Sequence, residues 1–550
     1  MSEPTREIET EVAIIGGGPV GLCLALELSS RGVACAVFER RREEEPVFPT
    51  ANHISVRTME QLRRHGLSGA VSEAFRPDWG GDFICLTHIG GHEVARVEDA
   101  LADSCARTDS PEREVWAPKP CFDPILERAV RATSSAAIHY GVRIESVVES
   151  QTGTVSKGLD AEGHPVHVRA KYAVACDGAG SRVRESLGIE MVGPPPIPIQ
   201  VHSAFFRSRV VAERVPPGAV QYQLLGTESG PTPSPIGAAL MITVDGYDLW
   251  RIHGLGLDAE DEAKTAARLA ELGAPDAEIL AMSAWTPRQA LCSSFRAGSI
   301  FLAGDAAHVV TPFGGLGVNT GMGDAFDLGW KLEATLRGWG GPRLLADSYE
   351  IERRRAALDL FRYQGVDFSG AEPKRLGPPL PMHEVPGEEL WRSDASGDAA
   401  RREFGVGLVA SRGDEYVKPQ LDLGTRYDDS PIIVDDGSPS VDRTNNRIYE
   451  PTTKPGGRAP HVPLGGGRST LDFFGDGFTL VCTEANTDAS LLERAAERRG
   501  VPLRVEVAPK AATAYELPFT LVRPDGVVAW RGGTMPADPG EVFDRVVGIE

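Results

Sequence analysis

Gly16, Gly18 and Gly21 follow a short apolar run, Val12 to Ile15, in the stretch EVAIIGGGPVGLCLALELSSRGVACAVFE, and Glu39 closes that stretch. G-x-G-x-x-G spacing between a strand and a helix suits a dinucleotide: Gly16 permits the tight turn, Gly18 lets the backbone approach a pyrophosphate, and Gly21 lets the helix pack closely. The pyrophosphate meets unpaired N–H groups at the positive end of the helix dipole. An acid at the end of the next strand is placed to bind a ribose diol, and its charge opposes a 2′-phosphate. These residues read as a cradle for FAD or NAD.

Two later stretches offer related chemistry. In CDGAGSR, Cys176 to Arg182, Asp177 and Gly178 suit a second contact with a dinucleotide, and Asp177 also suits a helix N-cap. Further on, the apolar run Ile300 to Ala303 leads into Gly304-Asp305 and then AAHVVTPFGGLGVNT. Asp305, at a strand's carboxyl end, is placed to accept hydrogen bonds from ribityl or ribose hydroxyls. Pro312, Gly314, Gly315, Gly317 and Asn319 form a loop whose bare backbone can lie against a flat ring. Its N–H groups precede a helix and would stabilise negative charge on a reduced flavin.

These groups need a scaffold, and the pattern supplies one. The helix after the glycines carries Leu22, Leu24, Ala25, Leu26 and Leu28, stops at Gly32, and passes to a strand from Ala34 to Phe38. Ile54 to His65 has helical spacing, and its Arg57 and Arg64 are candidates to reach phosphate or to form a solvated face. Phe83 to Val97 reads as a hairpin, Asp123 to Thr133 as a helix, and four strands between Val142 and Cys176 as a meander. Gln200 to His253 is rich in strand patterns and suits one wall of a substrate pocket. A long charged helix runs from Leu344 to Tyr363, and the proline-rich stretch Phe368 to Pro386 reads as a linker. The tail has the β-α-β-β order of a thioredoxin-like domain, but Cys482-Thr483-Glu484-Ala485 stands where C-x-x-C would be, so dithiol chemistry is not expected.

The composition narrows the function classes. Across 550 residues, 57 Lys and Arg against 78 Asp and Glu give a net charge of −21, which opposes binding to nucleic acid or anionic membrane. Met1 to Thr10 is polar and no apolar run is long enough to span a bilayer, so a cytoplasmic protein is expected. The eight cysteines are scattered singly without metal-ligand spacing, and no metal is expected.

Taken together, GGGPVG with Glu39, CDGAGSR, GDAAHVVTPFGGLGVNTGMGDAFDLGWKL and the tail segments RAPHVPL and STLDFFGDGFTLV resemble the class A flavoprotein monooxygenases, in particular the phenol hydroxylase and aromatic polyketide hydroxylase branch. The resemblance implies an α/β fold: a Rossmann-like FAD-binding domain of the para-hydroxybenzoate hydroxylase type over 1–190 and 291–375, an inserted β-rich substrate domain over 191–290, a connecting segment over 376–454, and a thioredoxin-like domain over 455–550. It implies bound FAD, transient NADPH and O2, with hydroxylation of a phenol-like, hydroxypyridine or polyketide substrate through a flavin C4a-hydroperoxide. By the same resemblance Gly16, Gly18, Pro19, Gly21, Glu39 and Arg40 hold the ADP half, and Asp177 and Gly178 serve FAD and NADPH. Asp305 holds the ribityl chain, while Pro312, Gly315, Gly317 and Asn319 face the isoalloxazine. A homo-oligomer is also implied. Consistent with a transient nicotinamide donor, the chain has no second glycine fingerprint.

Two positions depart from the family pattern. Lys119 stands where members often have Gln, and Asn52 stands near the position of an acid that helps deprotonate the phenol. Asn52 cannot be that base. His53, His202 and Tyr222 are the candidates to replace it. The same flavin loops serve Baeyer–Villiger and epoxidising oxygenases, and a non-catalytic flavin-binding scaffold is the alternative from another class.

Overall fold

The computed structural model describes residues 5–76, 80–98, 100, 108–232, 234, 237–370, 372–376, 387–416 and 418–549. The apolar run Val12–Ile15 is buried at every residue and lies inside a six-stranded sheet. Spatial order in that sheet is Arg296–Ala297, Ile300–Leu302, Tyr172–Ala175, Val12–Ile15, Cys35–Glu39 and Ala136–Tyr140. Every neighbouring pair is parallel except the hairpin at 296–302. Helix Pro19–Ser30 starts directly after Gly18, and Gly32 follows its end with φ 72°. The helix expected from Asp123 begins earlier, at Lys119, because Pro120 falls in its first turn where no backbone donor is needed.

A second, seven-stranded sheet forms the substrate wall. Its order is Glu278–Trp285, Val201–Arg207, Leu249–Gly254, Ala239–Thr243, Ala219–Leu224, Asp82–Leu86 and Glu93–Val97. The hairpin read as part of the first segment therefore belongs to this sheet, and strand Asp82–Leu86 runs parallel to Ala219–Leu224. Alternation along the strands separates two faces. Ala204, Phe206, Tyr222, Met241, Trp250 and Ile252 pack with Leu269 and Leu272 of helix Glu262–Leu272. Ser203, Phe205, Arg251 and His253 take the opposite face, where the Phe48 ring meets Phe205 edge-on and Trp116 donates to the Thr243 carbonyl.

The connecting segment contains a helix that the proline-rich reading did not anticipate, Ala395–Tyr416, and a short one, Pro419–Leu423. Part of the expected linker, residues 371 and 377–386, lies outside the described residues. Beyond it, a four-stranded sheet orders Leu503–Val507, Phe478–Cys482, Phe519–Val522 and Val528–Gly532, with helix Ser490–Arg498 crossing between the two parallel strands. Cys482 is a free, fully buried thiol in that domain's core, and burial pushes it up to about 11. Among the described residues, no helix is long and apolar enough to cross a membrane.

A buried ionic cluster joins the C-terminal domain to the nucleotide domain. Arg523 is fully buried and donates to Glu352 at 2.7 and 2.9 Å, to Asp327 at 3.0 Å and to Asp525 at 2.6 Å. Lys331 bonds Asp327 and Glu352, each at 2.8 Å. Removing Arg523 leaves Lys331 as the cluster's one cation facing the carboxylates of Asp327, Glu352 and Asp525. Arg523→Leu is therefore expected to cost about 3 to 5 kcal/mol of stability, read as a fall in the urea midpoint. A loss below about 1 kcal/mol would reduce the cluster to the standing of a surface pair.

Candidate active site

The glycine turn is built by close approach at three of its four glycines. Gly16 has φ 110°, and a Cβ there would sit 2.3 Å from the Cys176 carbonyl oxygen. A Cβ on Gly17 would meet the Glu39 Cβ at 2.8 Å, and one on Gly21 would lie 2.0 Å from the Gly16 carbonyl oxygen. Gly18 differs, since no protein atom lies within 4 Å of where its Cβ would be. Packing inside the chain demands the other three; Gly18 instead leaves open space at the helix N-terminus, the shape a pyrophosphate needs. Glu39 accepts from the Gly17 N–H at 2.7 Å and the Arg41 N–H at 2.8 Å, so it braces the turn with both oxygens. Gly17 had no role in the sequence reading, and Glu39 supplies one. Pro19 opens the helix and is buried, while Arg40 is exposed at the rim.

Across the cleft, the helix cap expected of Asp177 is made by Ser181, which accepts from the Arg184 N–H. Asp177 Oδ2 accepts from the Val183 N–H at 3.3 Å, while Oδ1 is buried without a partner. Burial raises the carboxyl above its ordinary range. Gly178 has φ 85° and open space beside it. Both features fit a ligand that brings hydroxyl donors.

Strand Ile300–Leu302 delivers Asp305 on the tight turn Gly304–Ala306. Asp305 is reached by solvent, yet enough protein surrounds it that desolvation raises its carboxyl against the opposing charges of His308 and Arg288. The two observations agree for a carboxylate facing a deep cleft. Asp324 holds this turn in place. Fully buried in helix Gly317–Arg337, it accepts from the Gly304 N–H at 2.8 Å, from His308 Nε2 at 2.7 Å and from Arg353 Nε at 2.7 Å. Burial alone would raise its carboxyl, but His308 and Arg353 outweigh burial and hold it below the usual range. The sequence reading missed Asp324, whose signal was an acid in the apolar part of GMGDAF.

The loop after Pro312 runs through left-handed backbone at Gly314, φ 79°, and Gly315, φ 66°. A side chain at Gly315 would come within 2.9 Å of His53 Nδ1. Gly317 begins the following helix, so its N–H is one of the free donors at that terminus. Asn319 spends its amide on the protein. Its Oδ1 accepts from the Ser55 N–H at 2.8 Å, and its Nδ2 donates to the carbonyls of His53 at 3.1 Å and Gly315 at 2.9 Å. It positions the loop from behind.

Of the three base candidates, only His53 touches this loop, and its Nε2 is paired with Glu114 at 2.7 Å. His202 points away: its Nδ1 accepts from the Ala259 N–H at 3.0 Å, on the helix-covered face of the sheet. Tyr222 is fully buried on that same face, donates to the Pro216 carbonyl at 2.6 Å, and is pushed up by desolvation. Strand alternation removes both from acid–base chemistry at the cleft. Lys119 forms an ion pair with Asp123 and is thus a matched charge. Arg57 and Arg64 do not reach toward phosphate either; they donate to the carbonyls of Asp525 and Pro524 in the C-terminal domain. Arg251 and His253, on the face turned to the nucleotide domain, were missed. The signal was LWRIHG, where polar residues alternate with buried Trp250 and Ile252. Burial pushes Arg251 down to about 9, and desolvation followed by the Arg251 charge holds His253 well below its ordinary value.

Comparison with known proteins agrees with this geometry. The profile of the FAD binding domain matches residues 9–363, and that of the aromatic-ring hydroxylase C-terminal domain matches 452–549. A 4-methyl-5-nitrocatechol 5-monooxygenase from Burkholderia sp is 32% identical over 575 residues, covering 98% of this chain and 96% of the relative. Aklavinone 12-hydroxylase RdmE from Streptomyces purpurascens is 31% identical over 583 residues, covering 98% of each. The rebeccamycin biosynthetic enzyme RebC with reduced flavin superposes with a TM-score of 0.80 at 33% identity, covering 99% of this chain and 100% of that one.

The glycines separate folding from binding. Gly18→Val meets no protein atom, so the variant is expected to keep the wild-type circular dichroism and lose its FAD. Gly21→Ala, by contrast, drives a methyl into the Gly16 carbonyl and is expected to lower the melting temperature of the FAD-free protein. Full FAD content in Gly18→Val would contradict the cradle.

Proposed function

This chain belongs to the FAD-dependent aromatic-ring hydroxylases, and we propose that it holds FAD from the Gly18 turn to the Pro312–Asn319 loop and hydroxylates an aromatic ring beside the seven-stranded sheet. When bound, FAD accepts hydride from NADPH and is the place where O2 is activated. Gly18 and the following helix N-terminus take the pyrophosphate, and Glu39 retains lone pairs for the ribose diol. The unpartnered Asp177 Oδ1 and the Asp305 carboxylate accept from hydroxyls of the cofactor. The helix N-terminus at Gly317 favours negative charge on the adjoining ring system. On the substrate-side face Phe48, Trp116, Phe205 and Ile242 form an apolar stretch that would keep water from the reacting ring.

One observation carries the reading: the sheet face opposite helix Glu262–Leu272 meets the flavin-loop side across residues 48–53. Arg251 reaches the Pro49 carbonyl there, and His53 lies against Gly315. A cleft at such a junction presents a ring to the cofactor edge. We further propose a cytoplasmic homo-oligomer. NADPH supply supports the compartment, as do the cysteines, all free among the described residues; a monomer mass by light scattering would contradict the assembly.

Phenols, hydroxypyridines and polycyclic polyketides, scored for stimulated NADPH oxidation and for product, test the reaction. Ring hydroxylation is expected for at least one class; a lactone or an epoxide would move the chain to a related oxygenase. Asp305→Ala is expected to weaken FAD by about one to two orders of magnitude, the loss of one charged hydrogen bond, with saturating FAD restoring much of the rate. Unchanged FAD affinity with no hydroxylation would instead place Asp305 in the chemistry.

A further inference from the structure

On the substrate face of the seven-stranded sheet, one step along the strand from Arg251, a set of polar side chains lies beside two unclaimed donors. By register His253 is opposite Ser203 on one side and Leu240 on the other, Ser203 is opposite Ser283, and Trp285 follows two residues on. The residues that alternate with them, Ala204, Ile252 and Met282, pack under helix Glu262–Leu272, so this set faces the nucleotide domain. The rings of His253 and Trp285 meet edge to face, with centroids 6.0 Å apart and planes at 78°.

The partners fix where the protons are. Ser203 is 2% exposed, and its Oγ makes one hydrogen bond among the described residues, to His253 Nδ1 at 2.6 Å. A buried hydroxyl proton without an acceptor is costly, so Oγ donates and Nδ1 accepts. The imidazole is neutral, because desolvation and then the Arg251 charge hold it well below its ordinary value. Its single proton is therefore on Nε2, which has no partner among the described residues and is not enclosed by them. Trp285 Nε1 can only donate, and it is buried with no acceptor. The Ser283 hydroxyl can add a further donor.

We propose that His253 Nε2–H and Trp285 Nε1–H bind a carbonyl oxygen of the substrate, a ring ketone or a quinone, so that the enzyme selects carbonyl-bearing phenols over phenols with alkyl groups in that place. This rests on the hydroxylase reading for the identity of the cleft. A carbonyl oxygen has two lone pairs and no proton, so it satisfies both donors and asks for no acceptor in return. An alkyl analogue seats its ring on the same face but leaves both N–H groups dry and unpaired, the situation in which a site discriminates between analogues most strongly. Ser203 is a positioning residue: by holding the tautomer of His253 it keeps Nε2 a donor.

The test uses the FAD-loaded enzyme and measures, by the change in flavin absorbance, the affinities of 6-hydroxy-1-tetralone and 7-hydroxy-1-tetralone against 5,6,7,8-tetrahydro-2-naphthol, which lacks only their carbonyl oxygen. At about pH 6.5 all three phenols are protonated in solution, so the carbonyl is the difference being read. At least one ketone is expected to bind about fivefold or more tighter than the naphthol. Trp285→Phe keeps a ring and loses the N–H, and His253→Leu loses the other donor; each should lower the ketone-to-naphthol ratio while leaving the naphthol affinity near wild type, whereas a purely structural loss would weaken both ligands alike. His253→Gln, which keeps a donor, should retain part of the ratio. If His253→Leu does not hold FAD, Trp285→Phe decides. Ketones that bind no tighter than the naphthol overturn the proposal, as does no binding of either ketone at millimolar concentration, or a ratio unchanged in either variant that holds FAD. A wild-type enzyme that prefers the ketones but oxygenates no phenol sinks the hydroxylase reading and leaves the carbonyl site standing. One that oxygenates phenols without that preference does the reverse.

Discussion

Asp324 is the residue on which the site's geometry depends. A carboxylate with no solvent exposure is tolerated only when its oxygens are fully engaged, and Asp324 engages the Gly304 N–H, His308 and Arg353 at once. Those three lie on the turn bearing Asp305, on the strand His308–Val309 that follows it, and on the helix Tyr349–Tyr363. One side chain therefore fixes the end of the nucleotide sheet relative to two helices. Arg353 also donates to the Tyr427 hydroxyl and the Thr320 carbonyl, which extends the constraint into the connecting segment.

The same helices carry Asp327, Lys331 and Glu352, which receive Arg523 of the C-terminal domain. A hydrophobic contact would tolerate sliding, whereas a buried network satisfies its charges in one arrangement only. Here the network spans two domains, and Arg64 and Gln61 add further donors to the same segment, at the carbonyls of Pro524 and Asp525. The domain without a dithiol thus serves as a brace on the back of the flavin-binding helices.

Much of the frame was legible because it follows from local rules. Strand, glycine turn, helix and acid lie within one short stretch, and the requirements of Gly16, Gly21 and Glu39 are set by neighbours close in sequence or by the adjoining strand. The β-α-β-β order of the tail was legible because apolar runs and turn residues bound its strands. What failed was long-range. A strand's period of two shows that residues alternate but not which face a distant helix will cover, so His202 and Tyr222 fell on the wrong side while Arg251 and His253 went unnoticed. Arg57 and Arg64 had the charge for phosphate, but the carboxylates of Glu60 and Glu27 and the carbonyls of Asp525 and Pro524, more than four hundred residues away, claim them. Proline-rich flanks likewise concealed Ala395–Tyr416, a helix whose partner is the strand Glu93–Val97.

The composite origin of both sheets also governs how the chain matures on the ribosome. Strand Tyr172–Ala175 waits with one edge open until Ile300–Leu302 has been made, and the hairpin 82–97 waits for Ala219–Leu224. Open strand edges are templates for wrong pairing, and parallel pairings of such sequence separation form slowly. A nascent chain cut anywhere before about residue 302 lacks an inner strand of its nucleotide sheet. The nucleotide and substrate segments are therefore not separate units of folding, and expression of the first half alone is expected to give an aggregation-prone fragment rather than a small flavoprotein.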